Sequence, residues 1–590
     1  MLWVSKRLMD ASSSDSKYHV VLFPFMSKGH TIPLLHLARL LLRRPNFIVT
    51  VFTTSGNHSF IANSLSDTTA FIIDLPFPQN VPQIPAGVES TDKLPSMSLF
   101  APFALSTKLM QPDFEKAIET LPRVNFMVSD GFLWWTLDSA IKFGFPRLVS
   151  FGMSIYSSCL SKAVVEQRLL FGPESDDELI TLPQFPWIKV TRNDFGSTFR
   201  DSEPSGPHFE FNIATITAAI NSYGTIINSF YELEATFADY WNKENGNKTW
   251  FVGPLCLADA PRVEHEPRKK PTWIKWLDQK LEQGRSVLYV AFGSQADISA
   301  QQLKEIAIGL KKSKVNFLWV MRAKDPEYGD ESELEEGIGD RGIIVREWVD
   351  QREILIHQSV NGFLSHCGWN SVLESICAGV PILAWPMMAE QPLNARMVVE
   401  EIKVGLRVET CNGSVRGFVK WEGLKKMVKE LMEGETGKQV RKNAEEYGEI
   451  AKKAMEEGSG SSWCNLDVLV DGLCNPRNTW RSCIASNSWH LWSVRRLFSF
   501  SCFYVFFFVF SSVGTITRYS LPSVQNLKMT LHLIEKLIIF DSKGIYKRSL
   551  HAHQQWYAAY FFFFSIKMML GYHKCILKKK DKYLGTRVIK

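Results

Sequence analysis

The sequence is more informative at first for what it lacks. Its ten cysteines form no CxxC pair and have no matching histidine pairs, which leaves no structural zinc spacing and no disulfide framework. Its first residues, MLWVSKRLMDASSSDSKY, turn acidic and serine-rich before an apolar run of signal-peptide length can form. A cytoplasmic protein in a reducing compartment is therefore expected. Acids are almost missing from Asn475–Lys590, which has 18 Lys and Arg against Glu535, Asp541 and Asp581. Of the chain's 67 bases and 61 acids, the preceding 474 residues hold 49 and 58, a net of −9. That acidic body excludes nucleic acid as a partner, because phosphate neutralisation needs a basic surface.

What is present is a globular composition, 45% hydrophobic and 22% charged over 590 residues, enough for at least two domains. From Tyr18 onward short apolar runs rich in β-formers alternate with stretches of helical period, the pattern of a doubly wound parallel sheet. HVVLFPF (19–25), FIVTVFTT (47–54), FIIDLPF (71–77), VNFMVS (124–129) and RLVSF (147–151) read as five strands, and a sixth starts near Thr225. A proline-rich, charged linker follows FVGPL (251–255), and the pattern then restarts. SVLYVAFGS (286–294), FLWVMR (317–322), GIIVREWV (342–349), NGFLSH (361–366), PILAWP (381–386) and VGLRVE (404–409) form the second set. Residues 421–474 read as helical. The expected division is a flexible lead-in at 1–17, an acceptor-side domain at 18–255, a linker at 256–272, a second domain at 273–450 and a C-terminal helix at 451–474. Ligands of such sheets bind beyond the carboxyl ends of the strands, so the active site is expected in a cleft between the two domains.

The tail 475–590 departs from this pattern. Residues 497–517 carry no charge and many phenylalanines, long enough on paper for a membrane anchor. The scarcity of acids, the FFFF and KKK runs and the missing periodicity favour a dispensable extension that resembles translated non-coding sequence.

The densest chemistry lies between Trp348 and Gln391, in WVDQREILIHQSVNGFLSHCGWNSVLESICAGVPILAWPMMAEQ. It reads as strand, turn, helix and strand. His366 and Cys367 close a strand, Gly368 turns the chain, and Asn370 and Ser371 stand where a helix N-cap belongs. Free amides at that helix start, with His366, Asn370 and Ser371, suit a diphosphate. Glu374 lies one turn further on the same face, placed to accept both hydroxyls of a ribose. Trp348 offers a flat face for a base.

This 44-residue segment closely resembles the signature box of plant secondary-product UDP-glycosyltransferases, and the resemblance extends over most of 18–474. It implies a GT-B type α/β fold, with two Rossmann-like domains facing across a cleft, and an inverting transfer from UDP-glucose. By resemblance Trp348 stacks on uracil, the Val349 backbone reads the base edge, and Gln351 belongs to the same donor set. His366, Asn370, Ser371 and Ser294 hold the diphosphate, and Glu374 holds the ribose. Trp369, Glu390 and Gln391 contact the sugar, the final Gln favouring glucose. The box departs from its usual form in reading WVDQ for WAPQ, where Asp350 removes a rigid proline turn, and in Glu390 for a more common Asp.

In the first half, His30 follows strand one and Asp130 follows strand four. In the common 3-2-1-4-5 order those strands are neighbours, so both side chains emerge at one edge of the cleft. A carboxylate fixes one imidazole tautomer and makes it a better base. The resemblance makes His30 the base for the acceptor hydroxyl and Asp130 its support. No D-x-D triplet occurs, so no carboxylate pair is evident to hold a metal on the diphosphate, and neither metal nor cofactor is expected. The acceptor is expected to be a small hydrophobic alcohol (phenolic, flavonoid or terpenoid) against Lys93–Phe103, Phe132–Trp135 and Phe151–Tyr156. A monomer is expected. One rival is a nicotinamide dehydrogenase, from GIGDRG at 337–342, but that motif precedes a strand where the fingerprint must open a helix. The other is a non-catalytic or membrane-tethered UDP-sugar-binding protein.

Overall fold

A computed structural model describes residues 17–201, 203–245, 248–259, 270–322 and 339–474. Residues 1–16 of the lead-in, most of the linker, Gly337 and the whole of 475–590 with its 497–517 stretch lie outside the described residues. All described residues fall within one unit, Met1–Ser486.

Two parallel sheets form, each from one of the two strand sets. The first has seven strands: β1 (Tyr18–Phe23), β2 (Phe47–Thr54), β3 (Phe71–Leu75), β4 (Phe126–Asp130), β5 (Arg147–Phe151), β8 (Gly224–Ile227) and β9 (Lys248–Phe251), in the order β3-β2-β1-β4-β5-β8-β9. The expected 3-2-1-4-5 order is present, and β9 is a strand the periodicity did not disclose. A small antiparallel hairpin, β6 (Ile180–Leu182) and β7 (Phe185–Val190), was also missed. The second sheet has six strands: β10 (Val287–Ala291), β11 (Asn316–Val320), β12 (Gly342–Val345), β13 (Val360–Ser365), β14 (Ile382–Ala384) and β15 (Gly405–Arg407), ordered β12-β11-β10-β13-β14-β15. Strands such as β2 and β10 are buried at every residue, because helices cover both faces of a parallel sheet.

The helices that matter below are α1 (Lys28–Leu42), α2 (Ile155–Glu166), α3 (Pro207–Ile220), α4 (Tyr231–Asn245), α5 (Trp369–Cys377), α6 (Trp421–Glu433), α7 (Glu435–Ala454) and α8 (Ser461–Cys474). The stretch 421–474 is thus three helices, broken at Gly434 and again before Ser461. The last of them returns to the first sheet. Trp463, Leu466, Leu469 and Val470 of α8 are buried in one core with Val20, Leu22 and Trp250, so the end of the described chain ties the second half back onto the first.

Polar locks hold the two halves together. Arg396, after β14, directs Nε and Nη2 at Asp194 Oδ2, each 2.8 Å away, and Asp194 is wholly buried. Asp194 Oδ2 also accepts from the Thr191 amide at 2.6 Å. Arg416 Nε donates to the Asn193 carbonyl at 3.0 Å, and Ser154 Oγ donates to Asn394 Oδ1 at 3.0 Å. Removing one partner of a buried ion pair leaves the other charged and unpaired. Asp194→Ala is expected to lower stability by roughly 3 kcal/mol, read from the urea unfolding midpoint, with Arg396→Ala non-additive with it in a double-mutant cycle.

Candidate functional site

One wall of the cleft is built at the carboxyl ends of β1 and β4, which pair in parallel. His30 sits in the first turn of α1, and Asp130 is the last residue of β4. His30 Nδ1 lies 2.7 Å from Asp130 Oδ2. The carboxylate accepts the Nδ1 proton, which leaves Nε2 as the acceptor. Asp130 Oδ1 in turn accepts from the Phe132 amide at 2.9 Å. Beneath it the buried Arg147 guanidinium donates to Ser129 Oγ at 2.7 Å and Ser222 Oγ at 2.6 Å. The imidazole ring lies beside Phe132, 4.7 Å between centroids, and its Nε2 edge faces Gly152, where a Cβ would stand 3.7 Å away. Burial disfavours the charged ring. The Asp130 charge and hydrogen bond, helped by the Glu390 charge, outweigh it and raise the pKa above its ordinary value.

The other wall is the Trp348–Gln391 segment. β12 ends at Val345, so Trp348 stands in a loop three residues beyond the strand rather than at its end. Its side chain is 60% exposed and meets the Phe60 ring edge to face at 5.9 Å. Val349 is buried. Asp350 caps the short helix Gln351–Leu355, its carboxylate accepting from the Arg352 amide at 3.0 Å. A cap therefore holds the turn that a proline ring would otherwise stiffen.

After β13 the chain turns at Cys367, with φ of 62°, and Gly368 is the N-cap of α5. Asn370 and Ser371 are the second and third helical residues instead of the cap, which leaves their amides without intrahelical acceptors. His366 is clamped between two glycines: a Cβ on Gly293 or on Gly368 would lie 2.6 Å from its Nε2. Burial, with Arg322 adding, pushes His366 down to about 4, so its ring is neutral at physiological pH. Ser294 follows Gly293 on the facing loop. Gln351 Nε2 donates to Ser371 Oγ at 3.0 Å and to Glu374 Oε2 at 2.7 Å. Burial raises Glu374 to about 7, against the pull of Gln351.

The two walls touch at the starts of α1 and α5. Asn370 Nδ2 donates to the Gly29 carbonyl at 2.6 Å. That carbonyl is available because Pro33, inside α1, has no N–H to return to it. Gln295 Nε2 donates to Ser27 Oγ at 2.9 Å. Trp369 is buried, and its indole N–H is taken by the Asn228 carbonyl at 2.8 Å; only its backbone faces the helix start. Gln391 Oε1 accepts from the Met387 and Met388 amides at 3.0 and 2.9 Å. Glu390 caps the next helix, and burial raises its carboxyl. A small crevice between the walls is lined by Pro33, His36, Asn228, Asn370 and Glu374. Asn228, Gln295, Phe60 and Gly293 had no sequence signal, since each acts through a neighbour far along the chain, whereas Gly368 was expected only as a turn.

Beside His30 lies an aromatic cluster. Phe132 meets Phe25 at 5.4 Å, Phe100 at 5.6 Å, Phe211 at 5.1 Å and Phe151 at 6.4 Å. Phe211 comes from α3, which the sequence did not single out. Trp135 and Phe103 are fully buried core residues, and Tyr156 packs on Phe237, so these three do not line an opening. Among the described residues no group of three or more His, Cys, Asp or Glu side chains is placed for a metal ion. No helix among them is long and apolar enough to cross a membrane. Gly339–Arg341 is a short turn leading into β12, so GIGDRG opens no helix.

Asp130→Asn removes the charge that sustains the His30 shift and leaves the burial that opposes it. The His30 pKa is therefore expected to fall, by about one unit or more, as followed by NMR titration of the imidazole.

The UDP-glucoronosyl and UDP-glucosyl transferase family model matches residues 267–443. Over 481 residues the chain is 58% identical to UDP-glycosyltransferase 90A1 of Arabidopsis thaliana, a match covering 79% of this chain and 99% of that protein. Among solved structures, Glycyrrhiza uralensis UGT73P12 complexed with glycyrrhetinic acid 3-O-monoglucuronide superposes with a TM-score of 0.69 at 28% identity, over 81% of this chain and 100% of that one. Phytolacca americana UGT2 complexed with UDP-2fluoro-glucose and pterostilbene does so with a TM-score of 0.63 at 27% identity, over 77% and 99%. Two doubly wound sheets, the box at full length and these relatives agree: the chain belongs to the plant family 1 UDP-glycosyltransferases, enzymes of GT-B fold.

Proposed function

We propose that the protein is an inverting UDP-glucose-dependent O-glucosyltransferase acting on a small hydrophobic alcohol of phenolic, flavonoid or terpenoid type. The observation that carries this reading is the 2.7 Å His30–Asp130 pair, one residue from the Gly29 carbonyl that meets Asn370 of the opposite wall. An acceptor against the half-buried Phe100, Phe132 and Phe151 presents its hydroxyl to His30 Nε2. The proton passes to Nε2 as the oxygen bonds to the anomeric carbon. The bond from that carbon to UDP breaks on the far side, and UDP leaves with the electron pair. Inversion to a β-glucoside follows. Asp130 holds the ring in the accepting tautomer and stabilises the imidazolium.

On the donor side, uracil stacks on Trp348 beside the Val349 backbone. Glu374, held by Gln351, accepts from the ribose. His366, Ser294, Asn370 and Ser371, with the first amides of α5, receive the diphosphate. The sugar lies against the Trp369 backbone, Glu390 and Gln391; the Gln391 carbonyl is engaged by the loop, which turns its amide N–H groups to the sugar. The pterostilbene and UDP-2fluoro-glucose of Phytolacca americana UGT2 support an aromatic acceptor and a glucosyl donor. In this reading residues 18–255 take the acceptor, 273–450 the donor, and the protein acts as a cytoplasmic monomer without metal or cofactor. The tail 475–590 is dispensable.

Given UDP-glucose and pooled phenolic and terpenoid alcohols, the full chain and residues 1–474 are expected to form hexosides equally, by mass spectrometry. His30→Ala should reduce transfer by about 100-fold or more while leaving UDP affinity unchanged; normal turnover would refute the base assignment. Ribose hydroxyls donate to the ionised form of Glu374, whose pKa is about 7. UDP affinity is therefore expected to rise from about pH 6 to about pH 8, and calorimetry on Glu374→Gln should show weaker binding that no longer varies over that range. In Gly293→Ala, at a φ of 73°, the added methyl strains the loop and must displace His366, so UDP affinity should drop by about 10-fold or more and the melting temperature should fall as well.

A further inference from the structure

The departing diphosphate is anionic, yet the groups proposed to receive it from the second sheet are uncharged. Ser294, Asn370 and Ser371 carry no charge, and His366 is neutral. A helix start contributes only about half a unit of positive charge. Arg322, which follows β11, bears on His366, but β11 is separated from β13 by β10. The opposite wall holds a second cation, whose chain neighbours are bonded to those binding loops.

Lys28 is the first residue of α1. Its backbone is tied on both sides to the second sheet's binding loops. Before it, Ser27 Oγ accepts from Gln295, the neighbour of Ser294, at 2.9 Å. After it, the Gly29 carbonyl accepts from Asn370 at 2.6 Å. Its side chain runs toward the base end of the site, where the ammonium lies 3.5 Å over the Phe60 ring and Phe60 meets Trp348 edge to face. Burial, with Lys93, lowers its pKa against the attraction of Asp92, and no carboxylate among the described residues forms an ion pair with it. A flexible ammonium held by a ring face, without a carboxylate, is cheap to redirect.

We propose that Lys28 is a donor-binding residue: its ammonium leaves the Phe60 face to pair with the diphosphate of the UDP-sugar, supplying from the first sheet the positive charge that the facing groups of the second sheet lack. The inference rests on the donor placement argued above and adds a residue outside the Trp348–Gln391 box. Uridine, which has no phosphate, should be indifferent to it.

The test is calorimetric binding of UDP and of uridine to the full chain, wild type, Lys28→Gln, Lys28→Met and Lys28→Arg. A charge-assisted contact to phosphate corresponds to about 10- to 100-fold in affinity. UDP binding should weaken by that factor in Lys28→Gln and Lys28→Met, remain within about 3-fold of wild type in Lys28→Arg, and uridine binding should not change in any of them. Unchanged UDP affinity in the two neutral variants overturns the proposal. So does an equal loss of UDP and uridine, or failure of both neutral variants to fold, each of which makes Lys28 a structural residue of the loop. Failure of the wild type to bind UDP at all would instead sink the donor placement, and the role of Lys28 with it.

Discussion

A carbonyl that its own helix cannot use joins the two halves of this enzyme. Pro33 has no N–H to donate to Gly29, so the Gly29 oxygen, in the first turn of α1, would be left unpaired. Asn370, in the first turn of α5, fills it from the other sheet. Two helix starts are thereby brought together, and the groups that each carries, His30 on one and Ser371 on the other, come to face one cleft. The contact also explains why a proline is tolerated inside α1: the hydrogen bond it deletes is replaced across the cleft.

Around that contact the site is organised by burial without charge. His366 sits between Gly293 and Gly368 with no room for a methyl on either, and its neutrality follows from that enclosure. Glu374 and Glu390 are acids raised by burial on the same wall. His36, held neutral by burial and by the neighbouring Arg352 and Arg39, meets Arg352 Nη1 at 3.4 Å. On the first wall the balance is reversed: Asp130 outweighs burial and raises His30. The two walls thus differ in kind: one pairs a raised imidazole with a carboxylate, and the other sets a neutral imidazole and buried acids beside the free amides of a helix start.

Much of the Trp348–Gln391 wall was legible because its residues lie within 44 positions and their spacing follows one strand, one turn and one helix. Even there, local geometry was misread in small ways. The polar residues after Gly368 are in the first helical turn, not at the cap, and Trp348 stands clear of β12. The departure at Asp350 looked like a lost constraint and is a helix cap. The wall around His30 was less legible. Phe132 and Phe151 stand at strand ends where the sequence places an opening, but Phe211, which packs on Phe132 from α3, is core, as are Tyr156 and Trp135, which look alike in sequence.

Strand periodicity and a common strand order act locally and repeat, so the fold class, the neighbour relation of β1 and β4 and the approach of His30 to Asp130 follow from the residues alone, as does the family to which the Trp348–Gln391 segment belongs. Only the tertiary structure decided which polar groups are already spent and which remain to meet a ligand. The Trp369 indole is taken by Asn228, the Gln391 side-chain carbonyl by its own loop, and one of the two side-chain N–H groups of Asn370 by Gly29. Hydrogen-bond capacity is a property of neighbours in space, and these partners are separated by up to 341 positions along the chain.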